Sequence, residues 1–82
     1  MIKKQFGDSI RKRREKLKIS QENFALSIKM DRTYYSSVEN GKRNISLVNI
    51  EKIANGFNTS IYELFKDINN NEKWGKKWIL KK

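Results

Sequence analysis

The chain has 82 residues, enough for one small domain, and carries 19 basic and nine acidic side chains for a formal net charge of +10. It contains neither cysteine nor histidine. That composition excludes disulfides, the usual zinc sites and catalysis by Ser-His-Asp or Cys-His groups, so we predict no enzyme, no metal and no cofactor. So much positive charge indicates a polyanionic partner, either nucleic acid or an anionic membrane surface.

The positive charge lies at the two ends of the chain. Residues 1–18 hold eight basic and two acidic side chains, residues 66–82 hold six and two, and residues 19–65 hold five of each. A run of charge is commonly only a solvated face, but the basic cluster Arg11–Arg14 has apolar neighbours at helical spacing. The first residues carry no apolar stretch of the kind that makes a secretory signal, so we expect a cytoplasmic protein.

Five helices are predicted, because apolar residues recur at spacings of three and four, proline is absent and no stretch alternates in polarity as a strand does. They run over about 4–17, 21–28, 32–40, 47–54 and 60–65. The predicted N-terminal caps are Ser20, Asp31, Ser46 and either Thr59 or Ser60. Gly41 is expected to end the third helix in the left-handed conformation, and Asn55-Gly56 to end the fourth.

The apolar residues of these helices are expected to form the core, because a small all-helical domain needs nearly all of them. The expected core comprises Phe6, Ile10, Leu17, Phe24, Ala25, Ile28, Tyr35, Val38, Leu47, Ile50, Ile53, Ala54, Phe57, Ile61, Leu64 and Phe65.

The second and third helices, separated by a tight break at residues 29–31, form the unit that is informative about function. The outer face of the third helix carries hydrogen-bonding side chains: Arg32, Thr33, Tyr34, Ser36, Ser37 and Asn40. Side chains of these types can bond base edges from a helix in the major groove, and arginine can bind guanine through two hydrogen bonds. A face that is only solvated more often shows Glu and Lys four residues apart, whereas this one has a single acid, Glu39.

Two stretches carry a resemblance to a known family. Residues 19–25 read Ile-Ser-Gln-Glu-Asn-Phe-Ala, and residues 31–44 begin with Asp-Arg-Thr-Tyr and contain Val-Glu-Asn-Gly-Lys. This pattern resembles the phage-repressor-type helix-turn-helix family, and within it most resembles the controller proteins of restriction–modification systems, whose recognition helix commonly begins Asp-Arg-Thr-Tyr. The resemblance covers about residues 6–65.

The resemblance implies an all-α, compact five-helix bundle with a helix-turn-helix, a lambda-repressor-like DNA-binding domain. That domain would occupy residues 1–66, with dimerisation helices at its C-terminal end. Residues 67–82 form a basic Trp-containing tail, which does not match a feature of the family. The tail has three alternatives: a disordered cationic arm, a short helix that packs through Trp74 and Trp78, or a segment that binds membrane or RNA.

The resemblance also implies roles for individual residues. Base reading falls to Arg32, Thr33, Ser37 and Tyr34, with Tyr34 also placed to reach the DNA backbone. Contacts to the DNA backbone fall to Gln21, Ser36, Asn40, Lys42, Arg43 and Asn44. Gln21 would also brace the recognition helix, and Arg43 could instead enter the minor groove. Arg14 and Glu39 match a pair that forms a buried salt bridge between the first helix and the end of the third.

The sequence departs from the family pattern at three positions. Lys29 occupies the turn position where the family favours glycine, and a left-handed residue other than glycine costs ~1–2 kcal/mol. Arg13 stands where many relatives bury an aliphatic side chain, and Tyr35 replaces a smaller aliphatic one.

A single recognition helix reads only about four or five base pairs, and this is too few to distinguish one site from the many competing sites of a genome. We therefore expect a two-fold dimer on a pseudo-palindromic site, with half-sites about 34 Å apart. The candidate dimer residues are Val48, Ile61, Tyr62 and Phe65. The alternative is that all four pack within one monomer.

These expectations combine into one functional prediction. The chain is predicted to be a sequence-specific transcriptional regulator that binds double-stranded DNA as a homodimer, most closely a restriction–modification controller that activates or represses by occupying its operator. The predicted partners are the operator and a second copy, with RNA polymerase as a further candidate and no membrane. The alternatives are a phage or plasmid repressor or antitoxin of the same fold, and a protein-interaction module that does not bind DNA.

Overall fold

The structure is a computed structural model that describes residues 1–66 and Ile68. It contains five helices in that range and no strand: α1 (Ile2–Lys16), α2 (Gln21–Ser27), α3 (Arg32–Glu39), α4 (Leu47–Gly56) and α5 (Ile61–Lys66). The all-α prediction is confirmed, with helix boundaries that differ by about two residues. The tail predicted at residues 67–82 lies outside the described residues, apart from Ile68.

Each of the last four helices begins at a side-chain cap. A hydroxyl or carboxylate oxygen accepts a hydrogen bond from the backbone amide three residues later, at 2.9–3.1 Å, which satisfies one of the donors that a helix N-terminus leaves free. The capping residues are Ser20, Asp31, Ser46 and Ser60. The predicted caps are confirmed, and at α5 the structure selects Ser60 over Thr59.

The two glycines that were predicted to end α3 and α4 differ in backbone conformation. Gly41 takes the left-handed conformation after α3, with φ +71°, as expected. Gly56 is the last residue of α4, as expected, but the left-handed conformation falls two residues later, at Asn58 with φ +58°. Gly56 also serves packing, because a Cβ on it would collide with Ile28 and approach Phe24 Cζ to 3.0 Å. Glycine at this position therefore permits the close approach of α4 to α2.

The core lies between the five helices and contains twelve buried apolar residues among those described: Phe6, Ile10, Phe24, Ala25, Met30, Tyr35, Val38, Ile50, Ile53, Ala54, Leu64 and Ile68. Phe57 is half-buried and stacks on Phe24 with ring centroids 4.2 Å apart. Most of the predicted core is confirmed, and two residues outside the prediction, Met30 and Ile68, join it, although Ile68 had been assigned to the tail.

Three residues that were assigned to the core are exposed instead: Leu17 (53%), Leu47 (80%) and Ile61 (41%). Leu17 follows the last residue of α1, while Leu47 and Ile61 are the first residues of α4 and α5. At a helix end no neighbouring turn continues the apolar stripe, so these side chains extend past the neighbouring helices. No helix among the described residues is long and apolar enough to cross a membrane.

Helix α1 packs closely against the C-terminal end of α3. Gly7 makes this approach possible, because a Cβ there would collide with the carbonyl oxygen of Glu39 and lie 2.6 Å from that of Val38. Contact with rigid backbone cannot be relieved by a rotamer change. The position of α3 in the domain is thus set by α1 at one end.

Candidate nucleic-acid interface

Helix α3 has one buried face and one polar outer face. Tyr35, Val38 and Glu39 point inward, at the spacing of three and four that the helical period demands. On the outer face Arg32, Thr33 and Asn40 are exposed, and Ser36 and Ser37 are partly exposed. Within the described chain the Arg32 and Thr33 side chains form no hydrogen bond or ion pair, so both are free to bind a partner.

A cationic loop follows α3 directly. Lys42, Arg43 and Asn44 are all exposed. The reversal at Gly41 is held by hydrogen bonds from the Gly41 amide to the Val38 carbonyl and from the Lys42 amide to the Ser37 carbonyl, each 3.0 Å long. This turn sets the loop next to the outer face of α3.

The buried carboxylate of Glu39 ties α3 to the rest of the domain. Its side chain is 0% exposed and accepts two hydrogen bonds from Arg14, of 2.7 Å from Nε and 3.0 Å from Nη2. Gln21 Nε2 donates to it at 2.8 Å, and the Tyr35 hydroxyl at 2.7 Å. The structure thus brings together Arg14 and Glu39, the pair that the resemblance implied, and it shows Gln21 bracing α3 from the start of α2.

The pKa values of this cluster follow from burial and charge. Burial alone would raise the pKa of Glu39, but the hydrogen bonds from Arg14, Gln21 and Tyr35 outweigh it and lower the pKa below its ordinary value. The hydrogen bond to Glu39 raises the pKa of Arg14 despite its partial burial. Burial, and then the hydrogen bond to Glu39 and its charge, raise the pKa of Tyr35. Arg14 and Glu39 are therefore both charged at neutral pH.

Arg11 also holds the end of α3, a role that the sequence analysis did not assign. Its Nη2 donates to the Glu39 carbonyl at 3.1 Å, and its Nη1 pairs with Asp8 at 3.2 Å. A cation at a helix C-terminus also interacts favourably with the helix dipole. The only signal in the sequence is that Arg11 lies three residues before Arg14, on the same face of α1.

The two residues that depart from the family pattern in the body of the domain make specific contacts. Arg13 Nη2 donates to the carbonyl of Glu63 at 2.8 Å, which links α1 to α5. Tyr35 is fully buried and packs its ring against Phe24, with centroids 5.3 Å apart. The turn residue Lys29 has φ +56°, the left-handed conformation for which glycine is the favoured residue.

Tyr34 is part of a second network, between α3, the loop and α4. Its hydroxyl accepts a hydrogen bond of 3.1 Å from Asn49 Nδ2 in the first turn of α4. The Arg43 guanidinium lies over its ring, 5.0 Å from the centroid, at a cation–π distance. Asn49 was missed by the sequence analysis, because nothing local indicates that α4 begins next to Tyr34.

The four candidate dimer residues fall into two groups. Val48 (65%), Tyr62 (72%) and Ile61 are exposed on α4 and α5, and so is Leu47 at the start of α4. Phe65 is half-buried and stacks on Phe6 at 5.2 Å, so it contributes to the monomer core.

Comparison with known proteins identifies the class to which this fold and this helix belong. A helix-turn-helix family model matches residues 10–64. Control protein C.MunI from Mycoplasma sp is 59% identical over 68 residues, which cover 82% of this chain and 92% of that protein. Control protein C.BamHI from Bacillus amyloliquefaciens is 48% identical over 50 residues, which cover 60% of this chain and 62% of that one.

Comparison with solved structures leads to the same class of protein. The restriction–modification controller protein C.AhdI from Aeromonas hydrophila is 41% identical, with a TM-score of 0.74 over 77% of this chain and 96% of its own. The controller C.Esp1396I, solved as a tetramer with its natural 35 base-pair operator, is 28% identical, with a TM-score of 0.76 over 83% of this chain and 90% of its own. The chain belongs to the helix-turn-helix family, in the group of restriction–modification controller proteins. Its class is therefore that of DNA-binding transcription regulators and not of enzymes, as the sequence predicted.

Proposed function

We propose that the chain regulates a restriction–modification operon by binding, as a homodimer, to a pseudo-palindromic operator in the cytoplasm. The observation that carries the proposal is the outer face of α3. Arg32 and Thr33 are exposed there and unpaired among the described residues, at the start of a helix whose inner face is fully packed. Polar side chains held in this way on a rigid helix suit the reading of base edges in the major groove.

In this proposal the outer residues divide into two sets. Arg32, Thr33, Ser37 and Tyr34 read bases. Gln21, Ser36, Asn40, Lys42, Arg43 and Asn44 contact the DNA backbone. Cations on the backbone supply affinity without sequence preference and release counterions when they bind, so affinity falls steeply with salt.

A second copy of the chain supplies the second recognition helix. The exposed side chains of Leu47, Val48, Ile61 and Tyr62 offer an apolar surface that a partner subunit would cover. Two copies related by a two-fold axis would read half-sites about 34 Å apart. The oligomeric, operator-bound state of C.Esp1396I supports this proposal by analogy. RNA polymerase is the further partner through which an operator-bound regulator would change transcription.

Selection of bound duplexes from a random pool tests the proposal. We expect the selected sequences to contain an inverted repeat. Arg32→Ala should then lower the ratio of specific to random affinity by ~5–150-fold, the loss of about 1–3 kcal/mol at one base. Lys42→Ala should weaken all DNA about equally and reduce the salt slope by ~0.9.

Two results would contradict it. One is a pool without symmetric winners, and the other is an Arg32→Ala variant with an unchanged specificity ratio. Asn55→Ala is the matched control, because Asn55 is an exposed polar residue in the last turns of α4 and has no assigned contact with DNA.

A further inference from the structure

We propose that Asn49 is a positioning residue for DNA recognition, which acts through Tyr34 by directing the Tyr34 hydroxyl proton outward. The inference rests on the proposed function, because it concerns how the DNA-reading surface is held. Asn49 belongs to α4, outside the helix-turn-helix unit, and is not among the residues proposed to contact DNA.

The hydrogen bond between Asn49 and Tyr34 has a defined direction. Asn49 Nδ2 donates to Tyr34 Oη at 3.1 Å, so the phenol oxygen is the acceptor. A phenol has a single proton, and with Asn49 occupying a lone pair that proton stays available as a donor. Phosphate oxygens and most base edges next to a recognition helix are acceptors, so this is the polarity that DNA requires.

Asn49 is held in place by its neighbours in the first turn of α4. Its backbone amide donates to Ser46 Oγ at 3.1 Å in the cap of α4, and Ile50, the next residue, is buried in the core. The first turn of α4 is thus fixed at both sides of Asn49. Tyr34 is likewise fixed at its backbone, where its amide donates to the cap residue Asp31 at 2.9 Å. The side-chain hydrogen bond joins two rigid helices and leaves the phenol little freedom to rotate away.

The Tyr34 ring that Asn49 positions also contacts Arg43, the cation of the loop after α3. Arg43 lies over the Tyr34 ring at 5.0 Å, so the ring that Asn49 holds is also the platform on which the loop arginine rests. Arg43 is otherwise exposed on a long flexible side chain. Holding it on the ring reduces the conformational entropy lost when it binds DNA. One hydrogen bond from α4 therefore organises two side chains of the DNA-reading surface.

A double-mutant cycle with Asn49→Ala and Tyr34→Phe tests the central claim, measured as operator affinity at fixed salt on the duplex selected above. Loss of a neutral hydrogen bond of about 1 kcal/mol corresponds to ~5-fold in affinity, so we expect N49A to weaken binding about 5-fold. In the Y34F background, where no phenol proton exists, we expect N49A to change affinity less than about 2-fold. An equal loss in both backgrounds would show that Asn49 acts on DNA directly or through folding, and would overturn the proposal.

The ring is tested separately. Tyr34→Leu removes both hydroxyl and ring, whereas Y34F keeps the ring. We expect Y34L to bind ~2–5-fold more weakly than Y34F, the value of an exposed cation–π contact, and this difference to vanish in an Arg43→Ala background. A difference that persists without Arg43 would refute the role of the ring as a platform.

Controls separate this inference from the proposed function. Asn55→Ala, on the same helix, should leave affinity unchanged, and urea unfolding should show each variant folded at the assay temperature. If the wild-type chain selects no symmetric duplex, the proposed function fails. If the wild type binds its selected duplex but the cycle is additive, only the role of Asn49 fails.

Discussion

Replacing Arg14 with methionine should remove a large part of the stability of the domain. The side chain of Glu39 is 0% exposed, and Arg14 provides two of its four close hydrogen bonds, at 2.7 and 3.0 Å. Removing one partner of a buried ion pair costs ~3–5 kcal/mol because the other charge is stranded. Arg11 Nε stays 3.7 Å from the carboxylate, so we expect a loss near 3 kcal/mol, toward the lower end of that range.

That loss is large for a chain of this size. At about 0.05–0.15 kcal/mol per residue, the described domain has a total stability of ~3–10 kcal/mol, so Arg14→Met should lose between about a third and all of it. Urea titration followed by far-ultraviolet circular dichroism measures the free energy of unfolding directly. Lys12→Met is the matched control, because Lys12 is an exposed cation on the same helix, and it should change stability by less than ~0.5 kcal/mol.

The double variant Arg14→Met/Glu39→Met distinguishes a stranded charge from lost packing. With no charge left to bury, it should recover most of the stability that Arg14→Met loses. If Arg14→Met unfolds within 1 kcal/mol of the wild type, or if the double variant is no more stable than the single one, the account of Glu39 as a buried anion held by Arg14 is refuted.

Three further predictions concern pH and backbone. Because the pKa of Glu39 is lower in the folded state than its ordinary value of 4.5, its contribution to stability is complete above about pH 4.5 and is lost as pH falls through the folded pKa. Urea titrations from pH 7 to 3 should therefore show a smaller loss of unfolding free energy below pH 4.5 for Glu39→Gln than for the wild type, and equal losses would contradict the shift. Gly7→Ala should destabilise by ~1–3 kcal/mol, because its Cβ would press on the Val38 and Glu39 carbonyls; a thermal midpoint equal to that of Ser9→Ala, on the same helix, would disprove the close approach. Lys29→Gly should stabilise by up to ~1 kcal/mol, since Lys29 has φ +56°, and a lower urea midpoint would show that the strain is negligible.

Some residues of the candidate interface could be predicted from the sequence and others could not. Arg32 and Thr33 were placed on an exposed face from helical period alone, and they lie there. The pairing of Arg14 with Glu39 came only from the family resemblance, because 25 residues separate the two. The local sequence does not indicate the contact that Asn49 makes, and for Arg11 it indicates only that this residue shares a face of α1 with Arg14. Each acts on a residue of another helix, and the distance between two helices is not encoded in the local pattern of either.

The helices, their caps and the polar outer face of α3 could all be predicted from local sequence, because hydrogen bonds within three or four residues and a period of 3.6 govern them. The division of the apolar residues into core and surface could not, because it depends on how the helices pack. Leu47 and Leu17 match the helical stripe yet lie exposed, while Gly56, the last residue of α4, also serves the contact between α4 and α2. The physical reason is that burial and close approach depend on which helices meet and at what distance, which is a property of the assembled core.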